Sequence, residues 1–475
     1  MRKLSTLILG IFLASTSLAQ GYRVSFRTSS FDSGLVYLIY YMGKSLNIAD
    51  SGYLNNGSVV FQKNNDTLPS GIYSIVFPGK RHTADFFIDR SPEISIQADT
   101  NDLLNMKVTG SPENPLFQQY QLFIANKGRL MQQEKNLYNV STTKEDSALH
   151  EKNYTKINEE LNEFRNKIIK ENPQSMMTVL LKAMKDPEVL HKKPLTRQDS
   201  LENYYHYKAH FWDGVSFMDS RILRTPFFLP RLEQYYRNLL PQEPDSIIRD
   251  IDERMLYARN NLEMKKFMLN WLTDEYINPK YMGQDAVFIH LFNKYHNAGE
   301  LPWLNEKQKE TVSKRAYMQM ANQIGIKASD LNMVDSSGKT SRLYDLRADY
   351  TVVIFWDPTC GHCKEELPHL DSLYQASWKK KGVRIYSVLS ENEKYEEWKR
   401  YIISHGNINE WTHVYETKAM EEAVVAAKVP GFKQLYDVIS TPTLFLLDSD
   451  KRIIGKKLNW TQLNELLQVK WNQKK

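Results

Sequence analysis

Cys360 and Cys363 are the only two cysteines in the 475-residue chain, and Gly361 and His362 separate them. Thiols at that spacing can close a small disulfide ring and reopen it, which is dithiol redox chemistry. The residues around them suit this. An apolar, strand-like run, Thr351-Val-Val-Ile-Phe-Trp356, leads in, and a helix-like run ending near Pro368 leads out. A strand that hands its last residues to a helix start places the first sulfur among unpaired backbone N–H groups, where the helix dipole favours a thiolate. Cys360 is therefore expected to be the nucleophile, and Cys363, one turn further in and more buried, the resolving thiol. His362 is a candidate tuning residue. A partly cationic imidazole, or its N–H, stabilises the Cys360 thiolate and makes the disulfide more oxidising; the alternative is a solvent-facing spacer. Two competing readings have less support. Unrelated buried cysteines need no such spacing, and a zinc site would require two further ligands, for which only His362 and His369 are near.

The elements that position such a pair extend over the last third of the chain. Lys327-Ala-Ser-Asp-Leu-Asn-Met-Val-Asp-Ser-Ser-Gly-Lys339, Leu343-Tyr-Asp-Leu346, the central strand, Cys-Gly-His-Cys and Ile439-Ser-Thr-Pro-Thr-Leu-Phe-Leu-Leu-Asp448 occur in that order. With these motifs, residues from about Ile324 to Trp471 resemble the thioredoxin-like superfamily, and within it the TlpA/ResA type of exported thiol–disulfide oxidoreductase. The resemblance implies an α/β thioredoxin-like fold with no cofactor and a redox-active disulfide between Cys360 and Cys363. It also implies a cis peptide bond between Thr441 and Pro442, whose loop would pair with an extended substrate chain. Two positions depart from thioredoxins proper: Ile354 stands where they carry a buried aspartate, and Thr359 where a tryptophan often precedes the first cysteine. Glu366 matches an acidic position of the ResA-like branch and is the expected proton relay for Cys363. Glu365 beside it reads as a surface residue.

Upstream, residues 20–114 are β-like. Candidate strands at Leu35–Tyr41, Ser58–Phe61, Ile72–Phe77, Phe86–Ile88, Ile94–Ile96 and Met106–Val108 are punctuated by Gly, Asn, Asp and Pro. They predict an all-β, sandwich-like domain or open barrel. Residues 115–323 turn helical, with helices expected over Glu134–Glu171, Met176–Met184, Pro230–Leu240, Asp245–Tyr276 and Glu306–Gln323. The aromatic stretch Phe211-Trp-Asp213 and Arg224-Thr-Pro-Phe-Phe228 reads as core packing in preference to a peptide-binding face. His206 and His210 have metal-compatible spacing but no third ligand in pattern. The expected organisation is thus multidomain: a signal peptide over 1–19, the β-domain over 20–114, a central α-helical domain over 115–323, and the thioredoxin-like domain over 324–475.

The first residues carry the export expectation. Arg2 and Lys3 precede an apolar stretch from Leu4 to Leu13, and Ser17-Leu-Ala19 offers a small-residue cleavage site. No cysteine follows it, so a periplasmic chain without a lipid anchor is expected. The formal charge is +6, with acidic and basic residues interspersed, and no nucleic-acid signature is present. Exported proteins with structural disulfides usually hold several cysteines, so a single close pair points to a working disulfide. The expected function is reduction of disulfides in other exported proteins. A redox-recharging partner, which can be membrane-bound, would complete the cycle. The alternatives are a disulfide oxidant or isomerase, a non-catalytic peptide-binding protein of thioredoxin fold, and a peroxidase.

Overall fold

The computed structural model describes residues 21–473 except positions 90 and 300; the signal-peptide reading of residues 1–19 lies outside the described residues. By its internal contacts the chain divides into two units, one formed by the residues through Leu240 with Arg254–Lys265 and the other by Pro241–Glu253 with Lys266–Lys475.

The first unit begins with β1 (Tyr22–Arg27), β2 (Ser33–Met42), β3 (Ser45–Asn55), β4 (Ser58–Lys63), β5 (Gly71–Val76), β6 (Thr83–Ile88), β7 (Glu93–Gln97) and β8 (Lys107–Thr109). They form one sheet in the order β6-β5-β2-β3-β4-β1-β7-β8. Every neighbouring pair is antiparallel except β1 and β7. In β1, Tyr22, Val24 and Phe26 point into the core while Arg23 and Arg27 are exposed, the period-two pattern of a half-buried strand. At about 4.8 Å per strand, a flat sheet would hold β1 and β5 roughly 19 Å apart. The rings of Phe26 and Phe77 nevertheless meet edge to face at 5.4 Å. The sheet therefore rolls over its own core, and the sandwich-like interior is made by one continuous sheet. Strands β1 and β3 were not among the candidate segments. β3 is largely polar and leaves Leu46, Ile48 and Tyr53 exposed, so it has no clean apolar alternation to read.

The helices that follow are α1 (Glu113–Val140), α2 (Lys144–Glu171), α3 (Met176–Met184), α4 (Arg197–His210), α5 (Phe228–Gln234), α6 (Pro244–Ala258), α7 (Leu262–Tyr276), α8 (Asp285–Leu291) and α9 (Glu306–Met320). Two long expected helices are broken. The one over Glu134–Glu171 ends at Val140 and restarts after Thr143, whose side chain accepts the Asp146 N–H. The one over Asp245–Tyr276 breaks before Asn261, which accepts the Met264 N–H at 2.9 Å. Each cap satisfies a backbone donor that a continuous helix would have used internally. Strand β6 is an edge strand, and the Asn114 side chain of α1 closes it by bonding both the N–H and the carbonyl of Phe87 at 2.8 Å. The aromatic stretch is core: Trp212 packs on Phe211, Phe217 and Tyr235 at 5.1–5.2 Å. His206 and His210 lie on α4 with ring centroids 4.4 Å apart.

The second unit holds β9 (Asn332–Asp335), β10 (Thr340–Arg342), β11 (Tyr350–Trp356), α10 (Gly361–Leu373), β12 (Val383–Leu389), α11 (Tyr395–Ser404), β13 (Thr412–Tyr415), α12 (Lys418–Ala427), α13 (Phe432–Leu435), β14 (Thr443–Asp448), β15 (Ile453–Lys456) and α14 (Trp460–Gln473). The sheet order is β10-β9-β13-β12-β11-β14-β15. β11 is parallel to β12, and β12 to β13, while β14 and β15 run antiparallel. Every residue of β11 is buried, because both faces of the sheet are covered. Val352, Ile354 and Trp356 pack with Leu367 and Leu370 of α10 and Leu463 and Leu467 of α14. Val353 and Phe355 pack on the opposite face with Phe432, Tyr436 and Phe445. Burying each such side chain is worth about 1.5–3 kcal/mol, so the strand that ends at the dithiol is anchored along its whole length.

α8 and α9 belong to this same unit and are fastened to its sheet by charge. The Lys456 ammonium reaches Asp285 Oδ2 at 2.8 Å and both oxygens of Asn322 at 2.9 Å, all buried. Arg315 of α9 pairs with Asp437. Removing one member of a buried pair costs about 3–5 kcal/mol, so these contacts hold the helices in one position against the sheet.

Candidate active site

β11 ends at Trp356, and the chain turns into α10 through Asp357-Pro-Thr359. Asp357 Oδ1 accepts the N–H and the hydroxyl of Thr359 at 2.6 and 2.7 Å, and the Cys360 N–H returns to the Asp357 carbonyl at 3.2 Å. This turn places Cys360 as the N-cap of α10 in an extended backbone conformation. Cys360 is half-buried and Cys363 is 1 % exposed; both are free thiols. The expected order, an accessible first sulfur and an enclosed second, is therefore present.

The two thiols differ in acidity for physical reasons. Burial pushes the Cys360 thiol up, but the backbone N–H of Cys363, the Thr441 side chain, the Cys363 thiol and the backbone N–H of His362 together outweigh it, so the thiol lies below its ordinary value. The two backbone N–H groups among these are the unpaired donors of a helix start. Burial dominates at Cys363, and the neighbouring Cys360 adds to it, so its thiol is pushed up to about 12. In the protonated state Cys360 Sγ donates to the Thr441 carbonyl at 3.3 Å. The peptide bond between Thr441 and Pro442 is cis, and its loop leads into β14.

His362 is 84 % exposed, and its Nδ1 lies 3.6 Å from Glu365 Oε2. The His362 backbone N–H supports the Cys360 thiolate, whatever the ring does. His369 faces elsewhere, stacked on Trp460 at 4.5 Å. Glu366 is partly buried, and its Oε2 accepts the Trp460 N–H at the start of α14 at 3.0 Å. It lines a groove of about 560 Å³ together with His362, Thr441 and Pro442. Ile354 is wholly buried beside Cys363, so no carboxylate stands beneath the dithiol at that position.

Several residues at or near the site had no signal in sequence: Ser387, Tyr401, His413, Arg315, Asp437 and Lys457. Trp356 Nε1 donates to Ser387 Oγ at 2.7 Å, Ser387 lies 3.0 Å from His413 Nδ1, and His413 Nε2 lies 2.8 Å from the Ile408 carbonyl. A carbonyl can only accept, so Nε2 carries the proton and Nδ1 accepts from Ser387. Burial holds the imidazole neutral, with its pKa lowered to about 4. Tyr401 packs edge-on against Trp356 at 5.3 Å. Burial, and after it the negative charge available to Cys363, raises the Tyr401 phenol. Arg315, Asp437 and Lys457 also line the groove.

Residues 324–456 match the family model described as "AhpC/TSA family". The C-terminal domain is thioredoxin-like. Residues 22–117 match a second model, a domain of unknown function, DUF4369. Among curated proteins, the thiol–disulfide oxidoreductase ResA of Bacillus cereus is 27 % identical over 134 residues, spanning 28 % of this chain and 69 % of that one. A thioredoxin-like protein of Bacteroides caccae has a solved structure with a TM-score of 0.45 and 21 % identity, covering 60 % of this chain and 98 % of that one. A domain of a possible thiol–disulfide isomerase from Cytophaga hutchinsonii gives a TM-score of 0.28 and 34 % identity over 32 % of this chain and 94 % of that one. The thioredoxin-like domain is thus of the thiol–disulfide oxidoreductase type, with ResA-type homologues.

Proposed function

We propose that this chain reduces disulfides of other exported proteins through Cys360 and Cys363. The supporting observation is the split in acidity within one turn of helix. Cys360 is accessible and held below the ordinary thiol range, and Cys363 is enclosed and pushed up to about 12. The Cys360 thiolate attacks one sulfur of the substrate disulfide, forming a mixed disulfide and releasing the first substrate thiolate. Cys363 then loses its proton, with Glu366 as the relay, and its thiolate attacks Cys360 Sγ. The second substrate thiolate leaves. Two electrons have passed to the substrate, and the protein holds a Cys360–Cys363 disulfide. A dithiol partner, which can be membrane-bound, returns it to the reduced form. Thr441 and Pro442 hold the substrate backbone beside Cys360, and His362 tunes the couple. The amino-terminal sequence supports export to a periplasm by a cleaved signal.

The test is reduction of insulin disulfides by the full chain with a chemical dithiol as electron source. Wild type should turn over, Cys360→Ser should be inert, and Cys363→Ser should stall. Full turnover by both variants would refute the mechanism. A second reading, an oxidant or isomerase, is favoured by Gly361-His362, a dipeptide it shares with protein disulfide isomerase. The reduction potential of the couple decides between them. The same sample, given peroxide in place of insulin, tests the peroxidase alternative.

A further inference from the structure

We propose that the groove beside Pro442 selects substrate polypeptides carrying an acidic side chain close to the disulfide cysteine, with Lys457 as the specificity-determining group. This rests on the thiol–disulfide reading above. The groove of about 560 Å³ is lined by His362, Glu366, the Thr441–Pro442 loop, Arg315, Asp437 and Lys457. A polypeptide that brings its sulfur to Cys360 meets that loop, and the loop also lines the groove, so residues flanking its cysteine can enter it.

The charges of Arg315, Asp437 and Lys457 do not cancel. Asp437 is 1 % exposed, and its two carboxylate oxygens are both engaged, Oδ1 by Arg315 and Oδ2 by Lys457. Two cations share one carboxylate, which leaves one positive charge in excess. Arg315 is 12 % exposed and donates its Nε to the Ile277 carbonyl at 3.1 Å. Lys457 is 39 % exposed, and an ammonium has three N–H donors, so it is the cation that can still reach a ligand. Glu366, the other acidic residue on the groove, is turned to the Trp460 N–H, so the positive excess is confined to the Arg315–Asp437–Lys457 cluster and does not extend over the whole groove.

The helical segment thereby becomes part of the substrate site. Arg315 lies on α9, outside the motif-bearing region, and it orients the Asp437 carboxylate that positions Lys457.

The experiment uses the full chain and disulfide-linked peptides identical except for Asp, Asn or Lys beside the cysteine. At low ionic strength, kcat/KM for the Asp peptide should exceed that for the Asn peptide roughly three-fold, the size expected of a half-exposed ion pair, and the advantage should vanish near ~1 M salt. Lys457→Gln should erase the preference, and Lys457→Glu should turn it toward the Lys peptide. Equal turnover of all peptides by wild type at low salt overturns the proposal and leaves the disulfide-reducing function standing. A preference that persists in Lys457→Gln also overturns it. Failure to turn over any peptide or insulin overturns the function itself.

Discussion

The Cys360 thiol donates to the Thr441 carbonyl at 3.3 Å, between residues 81 positions apart in the chain. That contact exists only in the thiol, since a thiolate has no proton to give. Against it stand the helix-start N–H groups and the Thr441 side chain, which favour the thiolate and prevail. The reactive sulfur is thus held between two groups that each prefer a different protonation state, and substrate backbone entering the Thr441–Pro442 loop meets the sulfur there.

Selective alkylation follows. In the reduced chain Cys360 should react with an apparent pKa below the free-thiol value of about 8.5, while Cys363, whose thiol burial pushes up to about 12, should stay protonated at neutral pH. Mass spectrometry of iodoacetamide-treated protein across pH checks this. Equal modification of both cysteines at neutral pH would refute the split.

At His362, ring and backbone can be separated. His362→Ala removes the exposed ring and keeps the N–H that supports the thiolate; His362→Pro removes both. The proline variant should raise the Cys360 pKa and make the disulfide harder to reduce, by about 30 mV for each 1.4 kcal/mol of lost stabilisation. The alanine variant should move less. Equal potentials in all three proteins, measured against a glutathione buffer, would leave position 362 without a tuning role.

Glu366→Gln should flatten the pH dependence of the resolving step and leave the fold intact, because an amide oxygen can still accept the Trp460 N–H. Stopped-flow decay of a preformed mixed disulfide reports that step. Superimposable pH–rate profiles in wild type and variant would remove Glu366 from the proton path.

His413 gives a pH prediction away from the chemistry. Its folded pKa is lowered from 6.5 to about 4. Between those values the unfolded chain binds the proton and the folded chain does not, so stability rises with pH. The contribution is complete above about pH 6.5 and is lost as pH falls toward 4, about 3 kcal/mol in all. His413→Gln should lessen the slope of unfolding free energy against pH in that window by about one proton. An unchanged slope, measured by denaturant titration, would mean His413 is not held neutral.

What could be read in the sequence was local. The cysteine spacing, the apolar β11 and the Thr-Pro-Thr stretch are contiguous patterns, and each lies where its element was expected. The β3 strand was missed because its partners, not its own periodicity, define it, whereas β1 was missed although its alternation was there to read. Helix breaks at Thr143 and Asn261 were missed because polar caps sit inside otherwise helical text; Thr143 followed three residues later by Asp146 was the available signal. The Arg315–Asp437 pair joins residues 122 positions apart, and no period or motif in one sequence announces such a pairing. The Trp356–Ser387–His413 chain is hidden for the same reason.

The most direct test is a trap. Cys363→Ser full-length protein, reduced and then exposed to a disulfide-bearing protein, should accumulate a covalent adduct that a chemical dithiol dissolves, with peptide mapping placing the bond at Cys360. Wild type under the same conditions should release reduced substrate and show little adduct. Absence of any adduct, or an adduct that still forms in the Cys360→Ser, Cys363→Ser double variant, would contradict the assignment of Cys360 as nucleophile and Cys363 as resolving thiol.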